Sequence, residues 1–262
     1  MKQKKNIVVG LGEIGQPIFK LFSKYDLVIG YDVNTKLMNK RKFEQLSSLD
    51  TQFLHICIPF SAKFVKSVIS LIKRFDPNCV VIHSTVKPFT TKKIQELSSI
   101  PIIYSPVRGV HKRMLHDLVR YTKFYAIENN APRLKWASSS YAKFLKSCGI
   151  KIKKLSSPVT LELGKLVCDT SYYGWLISYA QLSNMIAANN NVDYDEMWLF
   201  ADEIHKYLGN RPKMFPGIIG GHCVIPNLEL VHDQTLNLIK ELNTAYKSNQ
   251  KKLKQIKIPK NT

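Results

Sequence analysis

Acidic residues are scarce in this sequence: 19 Asp and Glu stand against 39 Lys and Arg among 262 residues, a formal net charge of +20. No acid follows Glu241, and the last residues gather Lys247, Lys251, Lys252, Lys254, Lys257 and Lys260. Such a field draws anionic ligands, nucleic acid or acidic membranes. No nucleic-acid motif accompanies it, so a lysine-rich surface without a specific polyanion partner is the plainer expectation. Cysteine is scarce too. Cys57, Cys79, Cys148, Cys168 and Cys223 are odd in number, scattered and without CxxC spacing, and the seven histidines form no HxxxH or HxH pair. That argues against a disulfide framework and against any metal centre. Cys57 and Cys168 fall on apolar faces and read as packing residues. Long apolar runs are missing as well: Phe53 to Phe60 and Cys79 to His83 are strand-length, far short of the ~20 residues of a membrane span. Met1-Lys2-Gln3-Lys4-Lys5 leads into a strand without a signal-peptide core. A soluble, cytoplasmic protein is the expectation.

What is present is an ordinary globular composition, 45% hydrophobic and 22% charged, with its apolar runs in regular alternation. Ile7 to Gly10, Leu27 to Tyr31, Phe53 to Ile58, Val80 to His83 and Ile102 to Tyr104 read as buried parallel strands. Helices are expected between them at about 14–24, 35–45, 61–74 and 90–98. Tyr121 to Ile127, a helix over about 132–148 and a strand at 150–155 extend the same sheet. The alternation predicts an α/β fold, a doubly wound parallel sheet with helices on both faces.

After Ser156-Ser157-Pro158 the pattern changes. Residues 159 to about 190 hold no proline and only Gly164 and Gly174, with apolar residues at helical spacing. This predicts one central helix of more than ~25 residues, suited to a spine or a dimer element. Asp193 caps a second helix through about Leu208, a Gly- and Pro-rich loop runs from Gly209 to Pro226, and an amphipathic helix runs from about Leu228 into the basic tail. The expected division is an α/β part, 1–156, and an all-α part, 157–262.

Gly10-Leu11-Gly12-Glu13-Ile14-Gly15 is a GxGxxG placed directly after a strand and opening a helix, and Asp32 ends the next strand about 20 residues on. In that context the motif is a Rossmann-type dinucleotide fingerprint. Gly10 permits the tight turn, Gly12 lets backbone approach a pyrophosphate, and Gly15 lets helix and strand pack closely. The helix N-terminus offers unpaired N–H groups to phosphate. Asp32 would accept from ribose hydroxyls and repel a 2′-phosphate. With Val33 and Asn34 after it, the cofactor expected is NAD rather than NADP.

Three further segments follow in order: Ser84-Thr85-Val86 at a strand end, Glu162-x-x-Lys165 with Asp169 on the long helix, and Gly220-Gly221-His222-Cys223. With the GxGxxG, the chain resembles the UDP-glucose/GDP-mannose dehydrogenase family, itself related to 3-hydroxyacid and 6-phosphogluconate dehydrogenases. The resemblance covers roughly residues 5–235 and implies oxidation of a sugar alcohol with NAD, in two steps. It gives Cys223 the part of a nucleophile that holds the aldehyde, and Lys165 that of an electrostatic stabiliser of the reacting oxygen. Asp169 stands where the family has asparagine, and Thr85 where a threonine positions water or the nicotinamide end. Lys165 and Asp169, four apart, face one side of a helix. A cysteine beside His222 in a glycine-rich loop and near a lysine is suited to nucleophilic work.

The sequence departs from the family at several places. Ser105-Pro106 is followed by Val107-Arg108-Gly109 where the family has glutamate, and Cys223-Val224-Ile225-Pro226-Asn227 shifts the proline and replaces the family's acid by Asn227. The resemblance also implies a C-terminal nucleotide-binding domain that these residues do not include. Arg108, His111 and Lys112 are candidates to bind an anionic small-molecule substrate, with His222 beside them in role, and a homodimer through the long helix is expected. Three alternatives stay open: a two-electron hydroxyacid dehydrogenase, a catalytically degenerate NAD-binding sensor or partner protein, and an electrostatic polyanion binder.

Overall fold

The computed structural model describes residues 3–208, 216–230 and 234–255. The chain divides into two units, Met1–Lys165 and Leu166–Thr262. In the first, the elements in order are β1 (Lys4–Val9), α1 (Gly15–Phe22), β2 (Val28–Tyr31), α2 (Lys40–Gln45), β3 (Asp50–Ile56), α3 (Phe64–Phe75) and β4 (Pro77–Ile82). They continue with α4 (Thr90–Glu96), β5 (Ile102–Tyr104), α5 (Met114–Arg120), β6 (Lys123–Ile127), α6 (Leu134–Ser147), β7 (Ile152–Lys154) and α7 (Pro158–Leu163).

The seven strands form one sheet in the order β2-β1-β3-β4-β5-β6-β7. The first five are parallel, as their unbroken Val- and Ile-rich runs require when both faces are covered. Successive residues alternate between two cores. Val8, Val81 and Ile103 join α1, α5 and α6 through Ile18, Leu118 and Phe144, whereas Ile7, Val9, Val80 and Ile82 join α3 and α4 through Val68 and Ile94. β6 departs from the expected parallel pattern: it runs antiparallel to β5, and β7 parallels β6. The short helix α5, which periodicity did not reveal, returns the chain to that edge.

Ser157 caps α7, its hydroxyl accepting from Thr160 N at 3.2 Å, with Pro158 at the helix start. α7 packs on α4, β5 and β6, so it belongs with the sheet although it follows the change in sequence pattern.

The expected single helix over 159–190 is α7, then a π-helical stretch Gly164–Ser171, then α8 (Tyr172–Asn189). π stretches concentrate at functional positions, and this one carries Lys165 and Asp169. α9 (Tyr194–Leu208) starts as expected, with Asp193 Oδ1 accepting from Glu196 N at 2.8 Å. Two expectations are corrected: a short helix, α10 (Val224–Leu228), overlaps the end of the predicted loop, and the last helix, α11 (Gln234–Gln255), starts later than predicted. Residues 209–215 of that loop and the basic tail from 256 lie outside the described residues. No described helix is long and apolar enough to cross a membrane.

Candidate active site

β1 ends at Val9, and Gly10 turns the chain with φ of 87°. A side chain there would press to 2.9 Å on the Cys57 carbonyl, and one at Gly15 would collide with the Gly10 carbonyl oxygen. Gly12 differs: nothing lies within 4 Å of where its Cβ would be, so the turn is closed on its inner side and open on its outer side. α1 begins with no side-chain cap and no acid in its first turn, which leaves its N-terminal end to an anion. Glu13 is exposed and Ile14 half-buried on the turn. Asp32, just past β2, accepts from Leu11 N at 2.6 Å through Oδ2 and from Asn34 N at 2.7 Å through Oδ1. One carboxylate thus braces the glycine turn and keeps lone pairs for a diol. These residues fit a dinucleotide.

Ser84 donates to Ile58 O at 2.6 Å, tying the ends of β3 and β4 together, and Thr85 beside it is half-buried. Glu162, fully buried, accepts from Phe89 N at 2.7 Å, Thr91 N at 2.9 Å and Thr91 Oγ1 at 2.7 Å. Burial pushes its carboxyl above the usual range while those donors oppose. The sequence offered Glu162 only as one letter of a motif. It clamps α7 to the start of α4 and so fixes the backbone that leads to Lys165, half-buried at the end of the first unit.

The turn after β5 is held by its own side chains. Val107 is buried in the core with Met114 and Leu118. Arg108 is committed to its own unit: its guanidinium donates to Thr122 O at 2.7 Å and lies 4.9 Å from the Phe124 ring centroid. His111 opens a 3-10 turn, His111–Arg113, and its side chain lies outside the described residues. A cleft of about 440 Å³ beside the glycine turn is lined by Glu13, Gln16, Lys20, Lys112, Arg113 and His116. Sequence reasoning also missed a buried polar cluster of His55, His83 and Lys123, because isolated polar residues do not disturb a strand's apolar pattern.

In the second unit, Asp169 is half-buried in the π stretch. Gly174 on α8 gives space to α10: a Cβ there would lie 2.9 Å from Val224 Cγ1 and 3.4 Å from Ile239 Cδ1. Cys223, immediately before Val224, is exposed, as is His222, and Asn227 is half-buried on α10. The approach to this turn is sewn down by side chains. Gln181 Nε2 donates to Gly217 O at 2.6 Å, and Asn243 pairs with both Ile219 N at 2.9 Å and Ile219 O at 3.0 Å. Cys168 is exposed, contrary to the packing role expected, because the π stretch turns it outward.

A Rossmann-type sheet followed by helices is the fold of a broad class of dehydrogenases. No established family profile matches the chain. It is homologous to the UDP-N-acetyl-D-mannosamine dehydrogenase of Methanococcus maripaludis, 26% identical over 281 residues, which cover 89% of this chain and 62% of that protein. The chain therefore spans less than two thirds of its curated relatives' length. The fold is shared with the UDP-D-ManNAc dehydrogenase of Pyrococcus horikoshii, at a TM-score of 0.75 and 21% identity over 93% of this chain and 69% of that one. It is shared too with 3-hydroxyisobutyrate dehydrogenase of Mycobacterium tuberculosis, at 0.69 and 12% identity over 98% of this chain and 100% of that one.

Proposed function

We propose that the chain is an NAD-dependent oxidoreductase acting on a CH–OH group of a nucleotide-sugar or sugar-like substrate. The observation that carries this reading is the glycine turn, open at Gly12 and braced by Asp32, in a chain homologous to nucleotide-sugar dehydrogenases. Bound NAD would supply the acceptor for the hydride leaving the alcohol carbon. The residues that would hold it are in the first unit: the start of α1 for the diphosphate, Asp32 for the ribose hydroxyls, and Ser84 and Thr85 for the nicotinamide end.

The second unit, with Lys165, serves the substrate. Loss of the hydroxyl proton to solvent puts negative charge on the alcohol oxygen, and that charge leaves with the hydride as the C=O bond forms. The Lys165 ammonium stabilises that charge, and the family resemblance assigns Asp169 and Asn227 to the substrate. Cys223, beside His222, would add its thiol to the aldehyde carbon as a thiohemiacetal; a second NAD would be the acceptor for the hydride of that adduct, and water would release the resulting thioester as the acid, returning the thiol. Lys112, which lines the cleft, is better disposed toward an anionic substrate group than Arg108, already engaged with Thr122, or Arg113, ion-paired with Asp117 at 3.0 Å. A second reading, oxidation that stops after one hydride, is favoured by Val107, a core residue where the resemblance expects glutamate. Cys223→Ser separates the two: loss of only the second oxidation supports the four-electron route.

Exposed Tyr172, Tyr173, Trp175 and Tyr179 on α8 support a homodimer, which light scattering at micromolar concentration would contradict by finding single chains. Five free cysteines suit a reducing compartment and a cytoplasmic location. The functional test is a screen of purified protein with NAD against nucleotide sugars, sugar alcohols and hydroxy acids, read by absorbance of the reduced cofactor. Absence of both NAD binding and turnover across that panel would sink the reading.

A further inference from the structure

Because β6 is antiparallel to β5, its first residue, Lys123, comes to the edge where the parallel strands end. Its side chain is buried, 5% exposed, and donates to two successive carbonyls, Ser105 O at 3.0 Å and Pro106 O at 3.2 Å. Ser105 O also lies 2.9 Å from His83 Nδ1, and His83 Nε2 lies 3.0 Å from His55 Nδ1. A carbonyl only accepts, so His83 donates from Nδ1 and, when neutral, accepts at Nε2. His55 then donates from Nδ1, and its buried Nε2 is an acceptor without a partner among the described residues. Tyr141 completes the cluster, its hydroxyl donating to Ser105 Oγ at 3.0 Å.

The charged and titratable groups around Lys123 are Cys57 past β3, Arg108 on the strand-end turn, Lys165 after α7, and His55 and His83 on β3 and past β4. None is a carboxylate, and Lys123 makes no ion pair with the described residues. An ammonium removed from water, without a counter-ion and near two other cations, is electrostatically costly. Burial, joined by Arg108 and Lys165 and opposed by Cys57, brings it down to about 7. Burial likewise holds His55, at about 3, and His83 neutral.

We propose that Lys123 is a proton-linked positioning residue: as an ammonium it clamps the turn Ser105–Pro106, and release of its proton loosens Val107–Arg113, the segment that borders the cleft. The clamp is independent of what the cleft binds; its bearing on catalysis rests on the reading above. The step is a plain proton exchange, in which the ammonium gives one proton to water and the neutral amine keeps two N–H donors without charge assistance. Since the unfolded chain holds that proton up to the ordinary value of 10.5, it binds more protons than the folded chain from about 7 upward. Global stability therefore rises with pH across that window while the local clamp slackens.

The test needs neither substrate nor cofactor. Carbon-13 labels at lysine Cε report protonation by NMR, and the Lys123 signal is the one missing from Lys123→Arg, whose guanidinium stays charged. One lysine is expected to titrate near neutrality. Amide exchange of Val107–Arg113 should match in the two proteins near pH 6. Near pH 9 it should be about tenfold faster in the parent, equivalent to ~1.4 kcal/mol of lost charge-assisted bonding. A Lys123 signal titrating at its ordinary value, or equal exchange at both pH values, overturns the proposal. Should Lys123→Arg not fold, Lys123→Met identifies the signal, and exchange of the parent segment referenced to α6 amides gives the same decision. A titrating Lys123 in a protein that binds no dinucleotide would break only the functional reading, and an ordinary Lys123 in one that binds NAD would break only the clamp.

Discussion

The first unit fills itself, because the residues of β1, β3, β4 and β5 alternate to two faces and find helices on both. The second is built otherwise. Its buried apolar cluster among the described residues is Ile219, Val224, Leu228 and Ile239, while Tyr172, Tyr173 and Tyr179 on α8 and Leu199, Phe200 and Tyr207 on α9 stay exposed. A unit that covers its own apolar surface is stable by packing, and one that leaves large apolar side chains in water gains stability when something covers them. The contrast assigns rigidity to the first unit and adaptable contact to the second.

The sharpest break in this comparison is chemical. Lys165 ends the first unit but is assigned to substrate, so Lys165→Ala should cut turnover about a hundred- to a thousandfold, ~2.7–4 kcal/mol of transition-state stabilisation. NAD affinity, measured by calorimetry, should stay within about twofold of the parent. Turnover within about threefold of the parent would move the chemistry elsewhere.

Glycine packing offers the next contrast. At Gly15 a methyl group meets backbone, which cannot move without opening the turn, so Gly15→Ala should cost more than ~3 kcal/mol and abolish dinucleotide binding. At Gly174 it meets the Val224 and Ile239 side chains, and overpacking of ~1–3 kcal/mol is partly offset by ~1 kcal/mol of helix propensity. Denaturant unfolding ranks the two, and equal losses would contradict the division into a rigid and an adaptable unit.

Acid should separate the units as well. His55 and His83 are buried neutral in the first, so the unfolded chain takes up protons below its ordinary 6.5 that the folded unit refuses until about 3 at His55. Stability is thus lost as pH falls below about 6.5. Hydrogen exchange near pH 4.5 should show the sheet opening more readily than at neutral pH, with a smaller change in α8. The mildest expected effect is cofactor choice: Asp32 should favour NAD over NADP by at least about tenfold, ~1.4 kcal/mol, and Asp32→Ala should narrow the gap. Equal affinities in the parent would refute the assignment of Asp32.

The parallel strands were legible because burial on both faces leaves uninterrupted Val and Ile runs, and the glycine turn with Asp32 because its signal is local. The direction of β6 was not legible, since parallel and antiparallel strands with this pattern look alike. Nor was the π stretch, whose composition is that of any helix. α10 was hidden by its glycine-rich approach, although Val224 and Leu228 stand one turn apart. Asp169 and Cys223 could be named from the sequence, but the space Gly174 leaves for Val224 is a property of packing. Lys123, His55 and His83 lie on three different strands or strand ends, and only the sheet makes them neighbours.

The reversal of β6 has a topological consequence. Two neighbouring parallel strands oblige the chain to return from the carboxyl end of one to the amino end of the other, in a right-handed sense that fixes where the connecting helix must lie. Between β5 and β6 no crossing occurs: residues 105–122 leave and re-enter at the same end of the strands. Their length is therefore free of the handedness rule that constrains the other connections. This excursion can grow, shrink or be exchanged without rewinding the sheet, while the glycine turn, held inside a crossover, stays as it is.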